Sequence, residues 1–143
     1  MNQSFIELMN IRLGIMVEIE QNVFKEIYFH PEFEKEFRRY RKKWRTLKED
    51  LITFINTPLK LYHKQSLKIK GIEPVSGLGI INTKIYIAKR FACKALKGTG
   101  SNSSIRITYA YIEENNLIEF IEMYYKGDKE NENRERIINL YKE

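Results

Sequence analysis

The chain has 143 residues, 43% of them hydrophobic and 13% aromatic, which suits one compact domain and excludes a disordered coil. Its formal net charge of +6 favours a polyanionic partner: nucleic acid, an acidic membrane surface or an acidic protein. A single cysteine, Cys93, excludes a disulfide framework and a multi-cysteine zinc site. With only two histidines, His30 and His63, we expect no metal and no cofactor.

The sequence contains no apolar run near the roughly 20 residues that a membrane-spanning helix needs. The first residues lack the basic start and the cleavage site of a signal peptide. We therefore expect a cytoplasmic protein without a membrane partner.

Residues 1–22 form an N-terminal extension of uncertain role, because their spacing fits both a short appended helix and an extension with little role. The predicted domain covers residues 23–143. It opens with a strand over residues 23–29, which are rich in β-branched and aromatic side chains.

A helical hairpin is predicted over residues 31–56. Pro31 suits a first helical position, and an apolar stripe follows at helical spacing. Thr46 and Glu49 have the spacing of a capping box, which begins the second helix. The residues before Pro58 are expected to end or bend that helix. The stripe consists of Phe33, Phe37, Tyr40 and Trp44.

Residues 57–83 are predicted as loops and turns, and the period then changes from helical to strand-like. Strands are predicted over 85–91, 105–112 and 117–125, paired as an antiparallel meander, and a helix over 130–142 closes the chain. The fold class is α+β: an N-terminal strand and a helical hairpin packed on a small antiparallel sheet, with a C-terminal helix. The second face of the sheet is expected to be open to a partner.

Cations without any acidic residue fill the window from Lys84 to Tyr109. Lys89 and Arg106, on neighbouring predicted strands, are expected to point into one concavity and bind phosphate. The alternative interpretation is that these cations only form a solvated, solubilising surface. The same alternative applies to the basic run from Arg38 to Arg45. The cations of the window are Lys84, Lys89, Arg90, Lys94, Lys97 and Arg106.

Residues 24–143 resemble the RelE/ParE superfamily of toxins from type II toxin–antitoxin systems, with the RelE-like branch favoured. The resemblance is carried by short segments in order: residues 30–37, 48–51, 85–91, 106–109 and 122–131. It implies a RelE-like fold, a cognate antitoxin protein as partner, and cleavage of mRNA on the ribosome in the A site. It also implies growth arrest through inhibited translation.

The resemblance assigns Lys89 and Arg106 to the basic residues of two family strands, and Lys126 to the basic residue at the end of the last strand. Ile87 departs from the pattern, because many relatives carry a second catalytic lysine there. No residue matches the late tyrosine or histidine of some members, and Tyr124 and Tyr125 are the nearest candidates.

A metal-free endoribonuclease is the predicted function. Lys89 serves as base or electrostatic clamp, Arg106 holds the phosphate, and Lys126 or Tyr125 assists the leaving group. Two alternatives stay open: a ParE-like DNA gyrase inhibitor without nuclease activity, and an inactive homologue that only binds RNA or antitoxin. The predicted RNA-binding residues are Lys84, Arg90, Lys94, Lys97 and Lys129.

Overall fold

The computed structural model describes residues 23–96 and 103–142. The predicted extension 1–22 and the candidate RNA contact Lys97 lie outside the described residues. The described chain is α+β, with helices and a five-stranded sheet.

The strands and helices follow the predicted order, with additions between residues 55 and 74. The strands are β1 (Glu26–Phe29), β2 (Ile72–Pro74), β3 (Lys84–Ala88), β4 (Ile105–Ile112) and β5 (Leu117–Tyr125). The helices are α1 (Pro31–Lys43), α2 (Leu47–Phe54), a π-helical turn (Ile55–Leu59), α3 (Lys60–Lys64) and α4 (Arg134–Tyr141).

The sheet is mixed, with strand order β1-β5-β4-β3-β2. The predicted antiparallel meander of β3, β4 and β5 is confirmed, and β4 and β5 have the predicted bounds. The prediction of a purely antiparallel sheet is wrong, because β1 pairs with β5 in parallel. Strand β2, at the edge beside β3, was not predicted. Its three residues include Pro74, which an edge position tolerates.

The main core lies between the helices and one face of the sheet. The predicted stripe of α1 is buried there: Phe33 and Phe37 are fully inaccessible, and Tyr40 and Trp44 are each 5% exposed. Phe33 stacks on Phe120 of β5 at a ring-centroid distance of 5.2 Å. We call this face of the sheet the helix-covered face. Its buried strand side chains are Ile27, Phe29, Ile72, Tyr86, Ala88, Ile105, Ile107, Tyr109, Tyr111, Ile118, Phe120 and Met123, and Tyr125 packs against them.

The opposite face of the sheet was predicted to be open, and this prediction is wrong, because the face carries a second, smaller core. Ile137 of α4 packs there against Ala110 and Ile121. Tyr141, near the end of α4, donates a hydrogen bond to Glu119 of β5. Because α4 covers the start of β5, only the other end of this face is left for a partner. We call it the second face.

The capping box predicted at the start of α2 is wrong. Thr46 makes no side-chain hydrogen bond that caps the helix. Its hydroxyl donates instead to Asp50 at 2.8 Å and accepts the N–H of Ala95 at 2.9 Å. The sequence pattern identified the start of the helix, but the hydroxyl binds the loop after β3.

The chain also does not leave helical structure before Pro58. The π-helical turn Ile55–Leu59 follows α2 without a break and leads directly into α3. Proline lacks an N–H and crowds the carbonyl four residues earlier, so an α-helical turn is unfavourable at that point. The wider π turn accommodates Pro58, and the helix continues to Lys64.

His63, in α3, is surrounded by tyrosine rings on the helix-covered face. Its Nε2 lies 2.8 Å from the Tyr109 hydroxyl, and its ring centroid lies 4.4 Å from that of Tyr111 and 4.8 Å from that of Tyr86. Burial lowers the pKa of His63 from 6.5 to about 4. The neutral imidazole therefore belongs to the folded core at neutral pH.

We expect the pKa of His63 to make the protein less stable in mild acid. The folded state holds the pKa of His63 below its unfolded value of 6.5. The contribution of the neutral ring to the free energy of unfolding is therefore fully present above pH 6.5 and is lost as the pH falls towards 4. Since the ring is partly exposed, we expect a loss on the order of 2 kcal/mol. Urea unfolding at several pH values measures it. His63→Gln should flatten this dependence, and equal pH dependence in both proteins would contradict the assignment.

Candidate functional site

Lys89 and Arg106 lie side by side at one end of the sheet. Ala88 of β3 pairs with Ile107 of β4, which places the residues on either side of this pair next to each other. The Arg106 guanidinium donates from Nη1 to the Lys89 carbonyl oxygen at 2.8 Å. This is the sole hydrogen bond of the guanidinium to the described residues, so its other N–H groups remain for a ligand.

Lys89 forms an ion pair with Glu73 of the edge strand β2. The Lys89 Nζ and a Glu73 carboxylate oxygen are 2.9 Å apart, and about half of each side chain is exposed. Glu73 pairs in register with Ile87, so it projects from the second face. An anion that binds Lys89 therefore competes with Glu73.

Tyr124, and not Tyr125, lies beside Arg106. The two residues are partners in the β4–β5 register, and the Tyr124 ring is buried on the second face. Burial raises the pKa of Tyr124 to about 12, and the nearby Arg106 opposes that shift. The phenol therefore keeps its proton at neutral pH and can donate it.

Tyr125, the predicted helper of the leaving group, lies on the helix-covered face. Its ring centroid is 5.0 Å from that of Trp44, and the Lys43 ammonium lies 5.6 Å from its centroid. The sheet separates it from Arg106, so the structure does not bring Tyr125 together with Lys89 and Arg106.

Lys126 is exposed at the turn that follows β5. Its backbone N–H donates to the Ser104 carbonyl oxygen at 2.8 Å, just before β4 begins. Because Tyr125 pairs with Ile105, Lys126 lies at the same end of the sheet as Arg106. Its ammonium group makes no contact with the described part of the chain that would prevent phosphate binding.

Lys129, a predicted RNA contact, forms an ion pair with the buried carboxylate of Glu122. Glu122 is 1% exposed, and its other carboxylate oxygen accepts the N–H of Asn133 at 2.7 Å. The Lys129 ammonium also lies 5.3 Å from the ring centroid of Tyr124. Lys129 therefore serves to neutralise an internal charge and to hold the segment before α4 over the second face.

Three other predicted RNA contacts lie away from this site. Lys84 begins β3, five residues from Lys89, which is roughly 17 Å along a strand. Arg90 and Lys94 line a groove of about 420 Å³ beside α2 on the helix-covered side of the sheet. The cations of the window from Lys84 to Tyr109 are thus divided between the two sides of the sheet.

Two carboxylates and a hydroxyl that the sequence does not predict lie among the cations. Glu73 belongs to a segment that the sequence predicts as loop, and Glu122 lies buried within the last predicted strand. Thr108, the register partner of Glu122, is also fully buried, and its hydroxyl has no hydrogen-bond partner in the described residues. A glutamate inside the last predicted strand was the available signal for a buried ion pair.

The described residues contain no helix long and apolar enough to cross a membrane. Within the same residues, no three of the His, Cys, Asp and Glu side chains are grouped so that they could hold a metal ion. Comparison of the chain with protein-family models, with curated proteins and with solved structures gave no match.

We expect Lys129→Ala to lower the free energy of unfolding by about 1 to 3 kcal/mol, because it leaves the Glu122 carboxylate buried without its cation. Lys126→Ala, which removes the same charge from a side chain without such a contact, is the matched control and should change stability by less than about 0.5 kcal/mol. Urea unfolding of both variants checks this, and equal stabilities would rule out the structural role of Lys129.

Proposed function

We propose that the chain is a RelE-like toxin of a type II toxin–antitoxin system, and that it cleaves mRNA on the ribosome without a metal ion. The observation that carries the proposal is the adjacency of Lys89 and Arg106 at one end of the sheet, where Arg106 retains N–H groups for a phosphate. An α+β fold with an antiparallel meander beside two consecutive helices also supports it. An acidic antitoxin is the proposed protein partner.

RNA supplies its own nucleophile, so the protein has to orient and polarise groups that the substrate already contains. The 2′-hydroxyl loses its proton to a water molecule, its oxygen forms a bond to phosphorus, and the bond from phosphorus to the 5′-oxygen breaks, which leaves a 2′,3′-cyclic phosphate and a 5′-hydroxyl end. Arg106 holds the nonbridging oxygens, whose charge grows in the transition state. Lys89 lies next to it and stabilises the same charge.

The departing 5′-oxygen needs a proton. Two groups are available at this end of the sheet: the Tyr124 phenol, which remains protonated at neutral pH, and the Lys126 ammonium. Tyr124 is only 4% exposed, so its hydroxyl reaches RNA only if the segment carrying Lys129 moves. Lys126 is exposed and is the better-placed donor in this conformation.

A binding-only function is the second candidate. Ile87 occupies the position of the second lysine in many relatives of the proposed family, and it is buried at 4% exposure. With one lysine already paired to Glu73, the site holds phosphate more readily than it removes a proton. Under this alternative the chain inhibits DNA gyrase, or it binds RNA or antitoxin without cleavage.

We expect Arg106→Ala to relieve growth arrest and to reduce RNA cleavage by roughly 100-fold or more, as the loss of a main transition-state contact does. Mapping of RNA 5′ ends after induction measures cleavage, and circular dichroism should show an unchanged fold. Arg106→Lys keeps the charge but loses the planar fork, so it should recover only part of the activity.

The same experiment discriminates between the candidates. New 5′ ends in coding regions that disappear in Arg106→Ala and Lys89→Ala support cleavage. A folded Arg106→Ala protein with full cleavage activity excludes Arg106 from the mechanism. Growth arrest with DNA breaks and without new 5′ ends favours gyrase inhibition.

We expect Glu73→Gln to tighten RNA binding several-fold, because it frees the Lys89 ammonium from its carboxylate partner. Fluorescence anisotropy with a short single-stranded RNA at several salt concentrations measures this. Glu114→Gln removes the same charge from an exposed residue in the turn between β4 and β5 and serves as the control. Equal RNA affinity of Glu73→Gln and Glu114→Gln would show that Glu73 does not compete with the phosphate.

A further inference from the structure

The groove beside α2 combines an apolar floor with a cationic rim. Its volume of about 420 Å³ is within the range of binding pockets. The floor is formed by apolar residues of α2, β2, β3 and the loops that follow them: Phe54, Pro58, Ile69, Ile72, Ala88 and Ala92.

Three cations, Lys70, Arg90 and Lys94, line this groove. None of them forms an ion pair with a carboxylate among the described residues. The single carboxylate of the lining, Asp50, is 4% exposed and accepts hydrogen bonds from the Thr46 hydroxyl and from the backbone N–H of Lys94. The charge presented to solvent is therefore positive.

The position of Arg90 depends on Gly71. A Cβ atom at residue 71 would lie 2.8 Å from the Arg90 Cγ, and Gly71 has a φ of +92°, which favours glycine. The absence of a side chain lets the stem of Arg90 lie against the backbone of the loop before β2. This contact places the aliphatic stem of the exposed Arg90 against Gly71 at the rim of the groove.

We propose that this groove binds an acidic peptide segment of a partner protein, with an apolar side chain on the floor and carboxylates on the rim. The three cations come from two segments of the chain, the loop before β2 and the loop after β3, so they can contact several carboxylates spaced along a peptide. The apolar floor supplies the anchor that a purely electrostatic contact lacks. The inference rests on the proposed function only in that it expects a protein partner, and it does not require RNA cleavage.

A labelled peptide tests the proposal with the full-length chain. The probe is a fluorescent peptide of about twelve residues that pairs glutamates with leucines; its two controls replace all glutamates by glutamine or all leucines by alanine. We expect the Glu/Leu peptide to bind at least about tenfold more tightly than either control. Amide NMR shifts should locate it at Gly71, Ile72 and Ala92.

Variants of the protein locate the site independently. Ala92→Trp fills the groove from an exposed position, and Arg90→Glu reverses one charge of the rim. Each should weaken binding of the Glu/Leu peptide by about tenfold or more. Lys84→Glu makes the same charge change at the other end of β3, outside the groove, and should leave the affinity within about twofold.

The proposal is overturned if the peptide does not bind at about millimolar concentration, or if Ala92→Trp and Arg90→Glu, folded by circular dichroism, bind it as the wild type does. It is also overturned if decanoate occupies the groove while the peptide does not, which would assign the site to small amphipathic carboxylates. Arg106→Ala should bind the peptide normally, so failure of peptide binding is distinguishable from failure of RNA cleavage.

Discussion

The outer edge of β5 beyond Phe120 has no neighbouring strand among the described residues, because the pairing with β1 ends there. Side chains take the place of a strand. The N–H of Met123 donates to Glu36 of α1, and the carbonyl oxygen of Ile121 accepts from Arg136 of α4. Glu36 and Arg136 also form an ion pair at 2.7 Å. One charged pair thus satisfies two backbone groups of the strand edge and fixes helices of both layers to it.

The same stretch of β5 contains a bulge that determines which side chains reach the candidate site. Thr108 pairs with Glu122 and Tyr109 with Phe120, so Ile121 is an extra residue in β5. The alternation therefore changes phase at this point. Without the bulge, Tyr124 would share the helix-covered face with Phe120, and Met123 would be the register partner of Arg106. The bulge reverses this placement and brings Glu122 under Lys129.

The spacing of apolar residues within one segment predicts the elements whose structure depends on that segment alone. The bounds of β4 follow from its regular alternation, and the aromatic stripe of α1 from helical spacing. Strand β2 depends on pairing with β3, and the π turn depends on how Pro58 fits, so neither has a signal in the sequence alone. The phase change in β5 does have a signal in the sequence, because strict alternation would place the Glu122 carboxylate in the apolar core.

Strand geometry also explains why the sequence does not predict on which side of the sheet each cation lies. Lys89 and Arg106 flank the register pair of Ala88 and Ile107 and are therefore neighbours, whereas Arg90, the next residue, points to the opposite side of the sheet. Two cationic sites therefore lie on either side of β3, separated by about the thickness of one layer, which is close to the Debye length of roughly 8 to 10 Å at physiological salt. If both proposals hold, an acidic peptide in the groove and RNA at Arg106 would not collide, yet each would lower the positive potential that attracts the other. The two ligands would then weaken each other's binding only slightly, and added salt would reduce that effect.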